Sequence, residues 1–384
     1  MTPRPNQPPT PATQRRRRPR IATGLATLAL IGLVASPALA QDPASSFGDT
    51  VEVSEVILDV LVTDRDGNVV LGLDTADFII EEQGEDREPT GVSFYSNRFK
   101  VREGEEGIQD PLPNEIVADR YFILFFHDPR LGGSSLQSTL LRRHLDATHR
   151  SRQWVETEKL PGDWVAVVSY DVKLKVQQDF TQDTGALLAA IDNAARGRDP
   201  KNEFATRRPE VTPGTPSLLA HLPEGKALRK ETTRMYSALE VLAEATQTVL
   251  GRKNILLFTL GWGDIEQFGG LISEPDPRYY PEMRQALNDH NVAVYPIYLL
   301  PEVTRNAQGH FLNQVARDTG GQYYENFVNF ITPIKEIADE ANGYYLLSYL
   351  AEHPSGEVGY REVEVRTRNP ELRVKARKGY RFGA

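Results

Sequence analysis

Hydrophobic and polar residues alternate in residues 51–100 and again in residues 343–384. In the first of these regions the alternation places four apolar residues on one side of an extended chain: Val56, Leu58, Val60 and Val62. A period of two is typical of a half-buried strand. The same pattern predicts further short strands at residues 78–81, 91–95, 344–350, 363–365 and 372–376.

Continuous apolar runs characterise the middle of the chain instead. They predict strands covered on both faces at residues 121–126, 164–168, 255–258 and 292–299. Segments with the helical spacing of apolar residues alternate with these runs, at residues 136–145, 186–195, 235–249, 281–290, 311–319 and 331–341. Strand alternating with helix predicts a doubly wound, Rossmann-like α/β layer.

The two outer regions each supply too few strands to form a stable sandwich alone. We therefore predict that they pair into one Ig-like β-sandwich, with the α/β domain inserted between its two halves. The predicted boundaries are 51–100 for the first half, 101–118 for an acidic linker, 119–342 for the α/β domain and 343–384 for the second half.

One segment interrupts the α/β domain at residues 197–228. It contains five prolines: Pro200, Pro209, Pro213, Pro216 and Pro223. Proline lacks a backbone donor and fixes φ, so a proline-rich stretch between regular elements predicts an exposed, mobile loop.

The amino terminus has the pattern of a signal peptide. Six arginines in residues 1–20 precede an apolar run from residue 21, and residues 36–41 form a small-x-small cleavage pattern after Ala40. We therefore expect residues 1–40 to be a leader and 41–50 a linker, with the mature protein periplasmic or secreted. Paired arginines leave both general and twin-arginine export open. An alternative is a retained membrane anchor, because residues 21–40 carry no charge and roughly 20 apolar residues span a bilayer.

Composition excludes several classes of function. The 384 residues contain no cysteine, which rules out disulfide scaffolds, thiolate metal sites and thiol catalysis. Without the leader arginines, 38 basic residues remain against 53 acidic ones, a net charge of −15. Such a surface repels phosphate backbones and anionic lipids, so we expect no nucleic-acid partner, and membrane contact only through an uncleaved signal segment.

Seven short motifs in order resemble the VWFA-related family named from acidobacterial proteins, over residues 53–380. They include Asp64-Arg65-Asp66-Gly67, Leu160-Pro161-Gly162-Asp163, Asp179-Phe180-Thr181, Gly251-Arg252-Lys253-Asn254, Thr319-Gly320-Gly321, Gly343-Tyr344-Tyr345-Leu346-Leu347 and Val374-Lys375-Ala376-Arg377-Lys378-Gly379-Tyr380. The resemblance implies an exported protein with a von Willebrand factor A-like domain built on a six-stranded sheet. It implies no particular activity.

The resemblance also implies a metal-ion-dependent adhesion site (MIDAS) on three loops, at which Mg²⁺ has oxygen ligands. Asp128 fits the first position, but Arg130 and Gly132 stand where hydroxyls are expected. Thr232 and Thr233 are the candidate ligands on the second loop, although a threonine before a helix is also a common cap. The third loop has Leu260 where the motif has aspartate, with Asp264 four residues later.

We therefore interpret the MIDAS as degenerate and expect no cofactor; a Mg²⁺ ion, if bound, would be held by Asp128, Thr232 and Asp264. Ser134 either replaces a missing hydroxyl or caps the following helix. Arg130 either accepts a partner's carboxylate without a metal or forms a surface pair with Asp128.

The sequence signals for catalysis are weaker than those for binding. No Gly-x-Ser-x-Gly elbow or phosphate-cradling loop is present, and His127-Asp128 has no nucleophile near it in sequence. We interpret the chain as a non-catalytic protein-binding or adhesion module whose loops around Asp128, Thr232 and Trp262 meet a protein or peptide partner outside the cytoplasm. The alternatives are a structural scaffold of a cell-envelope assembly, and a hydrolytic or metal-handling enzyme that uses His127 and Asp128.

Overall fold

The computed structural model describes residues 51–96, 115–128, 137–200, 212, 214–262, 274–300 and 309–383. The strands before the α/β layer are β1 (Val51–Thr63), β2 (Phe78–Glu82), β3 (Glu85–Arg87), β4 (Pro89–Ser96) and β5 (Glu115–Val117). Those within it are β6 (Arg120–His127), β7 (Asp163–Tyr170), β8 (Leu174–Thr181), β9 (Lys253–Thr259) and β10 (Val292–Tyr298). The last are β11 (Gly343–Pro354), β12 (Gly359–Thr367), β13 (Arg373–Ala376) and β14 (Gly379–Phe382).

The α-helices of the described residues all lie in the α/β region, whereas one short 3-10 helix, Thr75–Asp77, precedes β2. The α-helices are α1 (Gln137–Thr157), α2 (Thr184–Ala195), α3 (Gly225–Glu231), α4 (Met235–Glu244), α5 (Tyr280–Asp289), α6 (Gly309–Asp318) and α7 (Ile331–Glu340). Helix α4 ends five residues before the predicted end at residue 249. Immediately beyond it, the Thr246 hydroxyl donates to the Ala243 carbonyl oxygen at 2.7 Å, a local bond that competes with the helical hydrogen bonds.

None of the described helices is long and apolar enough to cross a membrane.

The middle region folds as the predicted α/β layer. Its strands run in the order β10-β9-β6-β7-β8, with β6, β7, β9 and β10 parallel and β8 antiparallel at one edge. In chain order this is 3-2-1-4-5, the doubly wound arrangement. A single parallel bridge from Ile297 to Tyr324 stands where the resemblance implies a sixth strand.

Alternate residues of β6 enter two different cores, which explains its continuous apolar sequence. Ile123 and Phe125 belong to a cluster with α4, α5 and α6. Phe122, Leu124 and Phe126 belong to another cluster with α1, α2 and α7. All five side chains are fully buried, so polar substitutions have no solvated face to occupy.

Strands from the two chain ends pair with each other. One sheet has the order β13-β1-β11-β4-β5 and a second has the order β14-β12-β2-β3. β1 is antiparallel to β11 from Val51↔Pro354 to Val60↔Tyr345. The predicted face of β1 is buried in a cluster that draws on both sheets, including Leu58, Val60, Ile80, Tyr345 and Val365.

Two predicted loops contain packed structure. The segment described as an acidic linker, 101–118, ends in β5, which pairs in parallel with β4. The proline-rich segment 197–228, predicted to be an exposed mobile loop, contains the buried Leu218 and Leu222. The Asp179 carboxylate holds this segment, because it accepts from Ser217 Oγ at 2.6 Å and from the Leu218 amide at 2.7 Å. Residues 201–211 and 213 of that segment lie outside the described residues.

Buried charges join the strands of the chain ends to the amino-terminal side of the α/β sheet. Asp59 of β1 accepts from the Asn291 amide just before β10, and burial raises the pKa of Asp59. Burial lowers the pKa of Lys253, at the start of β9, to about 8. Arg377 donates to the Ile57 carbonyl oxygen at 2.7 Å and to that of Asn288, so one guanidinium connects β1 with α5.

A second buried pair fixes the first strands of the layer. Arg120 donates to both carboxylate oxygens of Asp163, at 2.7 and 2.6 Å. Its remaining donors reach the Ala338 carbonyl oxygen at 2.7 Å and Asn342 Oδ1 at 2.9 Å. The side chains of Arg120 and Asp163 are 5% and 2% exposed, so each charge depends on the other.

We predict that Arg120→Ala lowers the free energy of unfolding by about 3–5 kcal/mol, because Asp163 would remain buried without its counter-ion. Chemical denaturation measures this change. Arg65→Ala is the control, since its pair with Glu371 is exposed at 71% and 65%, and should cost less than about 1 kcal/mol. A loss at Arg120 no larger than that at Arg65 would contradict the prediction.

A chain ending at Ala341 should lose protection of residues 51–96, because β1 would lack both β11 and β13 as neighbours. Limited proteolysis and amide hydrogen exchange would follow these strands. A chain ending at Phe382 is the control. Protease-resistant strands in the shorter chain would show that the first strands fold without the last.

Candidate functional site

The strand order places a crevice at the carboxyl ends of β6 and β9. The order reverses between these two strands, and ligands of open α/β sheets bind at that switch point. His127 and Asp128 lie at the end of β6, while Thr259 ends β9 and is followed by Leu260, Gly261 and Trp262.

A cavity of about 390 Å³ lies at this point, within the size range of small-ligand pockets. Aromatic and charged side chains dominate its lining, which comprises His127, Tyr170, Thr233, Arg234, Met235, Tyr236, Trp262, Asp276, Arg278 and Tyr279. They come from the ends of β6 and β7, the start of α4, the segment after β9 and the segment before α5.

His127 is 5% exposed, and its Nδ1 lies 2.7 Å from Thr259 Oγ1. The same hydroxyl accepts from the Gly261 amide at 2.9 Å. It keeps a second lone pair and its hydrogen, so the imidazole tautomer decides which of Nδ1 and Oγ1 donates. Burial, with a smaller contribution from His144, lowers the pKa of His127 to about 4, so the ring is neutral at pH 7.

Trp262 forms an aromatic wall of the cavity. Its ring packs edge-on to Phe311 at 4.9 Å between centroids, and also contacts Tyr236 and His127. The indole Nε1 is buried and has no hydrogen-bond partner among the described residues. A buried donor without an acceptor costs free energy.

Two arginines flank the ring of Tyr279. The Arg278 guanidinium binds the Asp276 carboxylate through two contacts, at 3.0 and 2.6 Å, and hydrogen bonds from Arg278 lower the pKa of Asp276 to about 2. Arg234 lies 4.7 Å above the Tyr279 ring. Arg234 also contributes to the lowered pKa of Asp276, so the cavity lining holds two guanidiniums close to one carboxylate.

Helix α4 begins at the cavity. Its N-cap residue is Arg234, and no side chain caps its first turn. The first amides of a helix have no intrahelical acceptor and form the positive end of its dipole. Met235 and Tyr236, the first residues of this turn, both line the cavity.

The structure brings together only part of the predicted site. Asp128 is exposed just beyond β6, while Thr233 and Trp262 line the cavity. Thr232 is fully buried; its hydroxyl donates to the Leu228 carbonyl oxygen at 2.6 Å and accepts from the Leu174 amide at 3.1 Å. Thr232 therefore ends α3 and does not cap α4. Arg130, Ser134 and Asp264 lie outside the described residues.

The described residues do not fit the implied Mg²⁺ ion. They contain no group of three or more His, Asp or Glu side chains arranged to hold a metal, and the hydroxyl of Thr232 is already engaged. The cavity also presents the guanidinium of Arg234, which repels a divalent cation. Of the other described candidates, Asp128 and Thr233 are exposed.

His127 and Asp128, the alternative catalytic pair, form no hydrogen bond with each other in the described part of the chain. His127 hydrogen-bonds to Thr259 and not to Asp128, although His127 and Asp128 are adjacent in sequence.

The lining residues that sequence analysis missed are Arg234, Tyr236, Asp276, Arg278 and Tyr279. They lie in two segments about 40 residues apart with no shared motif, and only their proximity in the fold marks them.

No family model matches the chain and no curated protein matches it. Among solved structures, a von Willebrand factor type A protein from Catenulispora acidiphila is 8% identical, with 88% of this chain and 74% of that chain covered and a TM-score of 0.38. VWA2, the ArnB paralog from Sulfolobus acidocaldarius, is 10% identical over 86% and 76%, with a TM-score of 0.33.

Proximal thread matrix protein 1 from the mussel byssus is 15% identical, with a TM-score of 0.36; the match covers 58% of this chain and about half, 48%, of that protein. The strand order of the α/β layer is that of a doubly wound open sheet.

Mg²⁺ at millimolar concentration should leave the Tm of the protein unchanged, because the Thr232 hydroxyl is already engaged and the Arg234 guanidinium in the cavity repels a divalent cation. A site of micromolar Kd would stabilise the fold by about 4 kcal/mol at a thousandfold excess of metal, which thermal denaturation detects readily. Asp128→Ala is the control. A rise in Tm with Mg²⁺ that this variant abolishes would restore the metal site.

Proposed function

We propose that this chain is an exported, non-catalytic protein-binding module of adhesion type with a degenerate MIDAS. The cavity at the switch point of the A-like layer carries the proposal, because it is aromatic, polar at a few positions and placed where this class of sheet binds ligands. The similar solved structures include von Willebrand factor A proteins and a thread matrix protein.

The partner in this proposal is a peptide segment of another protein. Trp262, Tyr236 and Tyr279 supply the large, rigid side chains that are enriched at protein interfaces. A protruding side chain of the partner fills the cavity, and the neighbouring loops contact the peptide backbone.

Export and location follow from the leader. Residues 1–40 direct the chain out of the cytoplasm, to the periplasm or medium, either after cleavage at Ala40 or with the apolar run retained as an anchor. Within the same proposal, the two sheets that share one hydrophobic cluster form an Ig-like β-sandwich that presents the A-like layer, as the VWFA-related resemblance implies.

A scaffold role in an envelope assembly is the second candidate, and one surface favours it. Val51, Val53 and Ile57 of β1 and Leu350 of β11 are 50%, 59%, 44% and 55% exposed. Apolar residues exposed together mark interaction surfaces. This surface belongs to the strands of the chain ends and not to the cavity.

A bead-bound random heptapeptide library incubated with residues 41–384 tests the proposal. We expect specific binders, and we expect Thr233→Trp to weaken them about tenfold or more, because an indole at this exposed lining position would fill the cavity. Thr157→Trp is the matched control on an exposed position at the end of α1. Equal binding by both variants, or no binder at all, would refute a peptide-binding cavity.

A further inference from the structure

We propose that the amino-terminal part of β1 binds an extended segment of a partner protein by strand addition, and that this segment carries lysine or arginine residues. The site consists of residues 51–55, the open edge, all of which are exposed. The open edge belongs to the strands of the chain ends, so the inference does not depend on the cavity.

Strand β1 is paired on both sides over only part of its length. β11 pairs with it from Val51 to Val60, whereas β13 lies on its other side and pairs with it only from Val60 to Thr63. Among the described residues, no strand occupies that second side of the open edge. The unpaired N–H and C=O groups of an edge strand are a template for another strand.

The other edges of the described sheets are short or covered. β3 and β5 have three residues each, and β13 and β14 have four. Along β8, Gln177 donates to the Arg198 carbonyl oxygen at 2.7 Å, and beside β10 the Tyr298 amide donates to the Tyr324 carbonyl oxygen at 2.8 Å. The open edge contains neither proline nor lysine, the residues that discourage strand addition.

A contact beside the open edge shows which backbone groups face outward. The Ile57 carbonyl oxygen accepts from the Arg377 guanidinium at 2.7 Å, and Arg377 directly follows β13. Successive residues of an antiparallel strand direct their backbone groups to opposite sides. Glu55, Val53 and Val51 therefore present N–H and C=O groups on the open side, and the residues between them face β11.

Charge selects the kind of segment. Glu52, Glu55 and Glu352, which lies opposite Val53 on β11, are exposed, and none of the three forms an ion pair within the described ranges of the chain. Opposite charges across a strand pair are favourable and like charges are not. A second copy of this chain would bring the same glutamates to the edge and add the repulsion of two acidic proteins. A basic segment of another protein is favoured instead.

Apolar side chains set the alternation of the bound segment. Val51 and Val53 are 50% and 59% exposed, and their side chains share one face of the strand with Glu55. An antiparallel segment of sequence Lys-Ser-Val-Lys-Val places its valines opposite Val53 and Val51. Its lysines then lie opposite Glu55 and Glu52, so each apolar and each acidic position of the open edge has a matching residue.

Fluorescence polarisation with residues 41–384 and two labelled heptapeptides tests the inference. The first peptide is Thr-Lys-Ser-Val-Lys-Val-Thr with blocked ends, and the second has glutamate in place of both lysines. We expect the lysine peptide to bind about tenfold more tightly, because two cross-strand pairs change from repulsive to attractive. Glu52→Lys combined with Glu55→Lys should reverse the preference. Glu231→Lys combined with Glu244→Lys is the matched control, because it changes the net charge equally at exposed positions of α3 and α4.

Methylation of peptide nitrogens separates backbone pairing from charge attraction. A methyl group on the nitrogen of the central valine removes the donor to the Val53 carbonyl oxygen and should weaken binding about tenfold or more. The same change at the neighbouring serine, whose N–H points away from β1, should leave binding nearly unchanged. Val53→Pro should abolish binding with little change in Tm, because it removes a donor on the open side and none that bonds to β11.

Three results would each overturn the inference: equal loss of binding at both methylation sites, equal binding of the lysine and glutamate peptides, or no binding of the lysine peptide. A dimer in analytical ultracentrifugation that Val53→Pro dissociates would also overturn it, in favour of a second copy at the edge. The methylated peptides leave the protein unchanged, so the test holds even if Val53→Pro fails to fold. None of these outcomes bears on the cavity, which Thr233→Trp tests separately.

Discussion

Burial of charge at the amino-terminal side of the α/β sheet is the constraint on which the rest of the arrangement depends. Asp59, Arg252 and Lys253 are each no more than 6% exposed, although they belong to segments almost 200 residues apart. A charge removed from water must find a partner. Arg252 donates to Tyr295 and to the Gly320 carbonyl oxygen, Lys253 donates to the Val249 carbonyl oxygen, and Asp59 accepts from Asn291. The carboxylate of Asp59 also attracts both of these cations.

This junction determines which end of the sheet stays accessible. Lys253 begins β9 and Thr259 ends it, and a strand of that length spans about 20 Å. The strands from the chain ends therefore cover one end of the α/β sheet, and the cavity lies at the other. The buried charges and the cavity therefore lie at opposite ends of the same strands.

The cavity lining contains charged side chains and a neutral imidazole. Asp276 and Arg278 form an ion pair, His127 is kept neutral by burial, and Arg234 lies over the Tyr279 ring at the start of α4. Each of these states follows from local contacts. Together they give the cavity two guanidiniums and one carboxylate among its lining residues.

The sequence by itself determined the α/β layer, because continuous apolar runs such as residues 121–126 can be strands only where both faces are covered. It also identified Trp262 and Thr233 near the rim, since both follow or precede elements with clear periodicity. Only the tertiary structure decided that the Thr232 hydroxyl is hydrogen-bonded to the backbone of Leu228 and Leu174. It also decided that Arg234, Asp276 and Tyr279 line the same cavity. The physical reason is that periodicity reports which face of an element is buried, whereas contacts between segments 40 or more residues apart depend on how those elements pack.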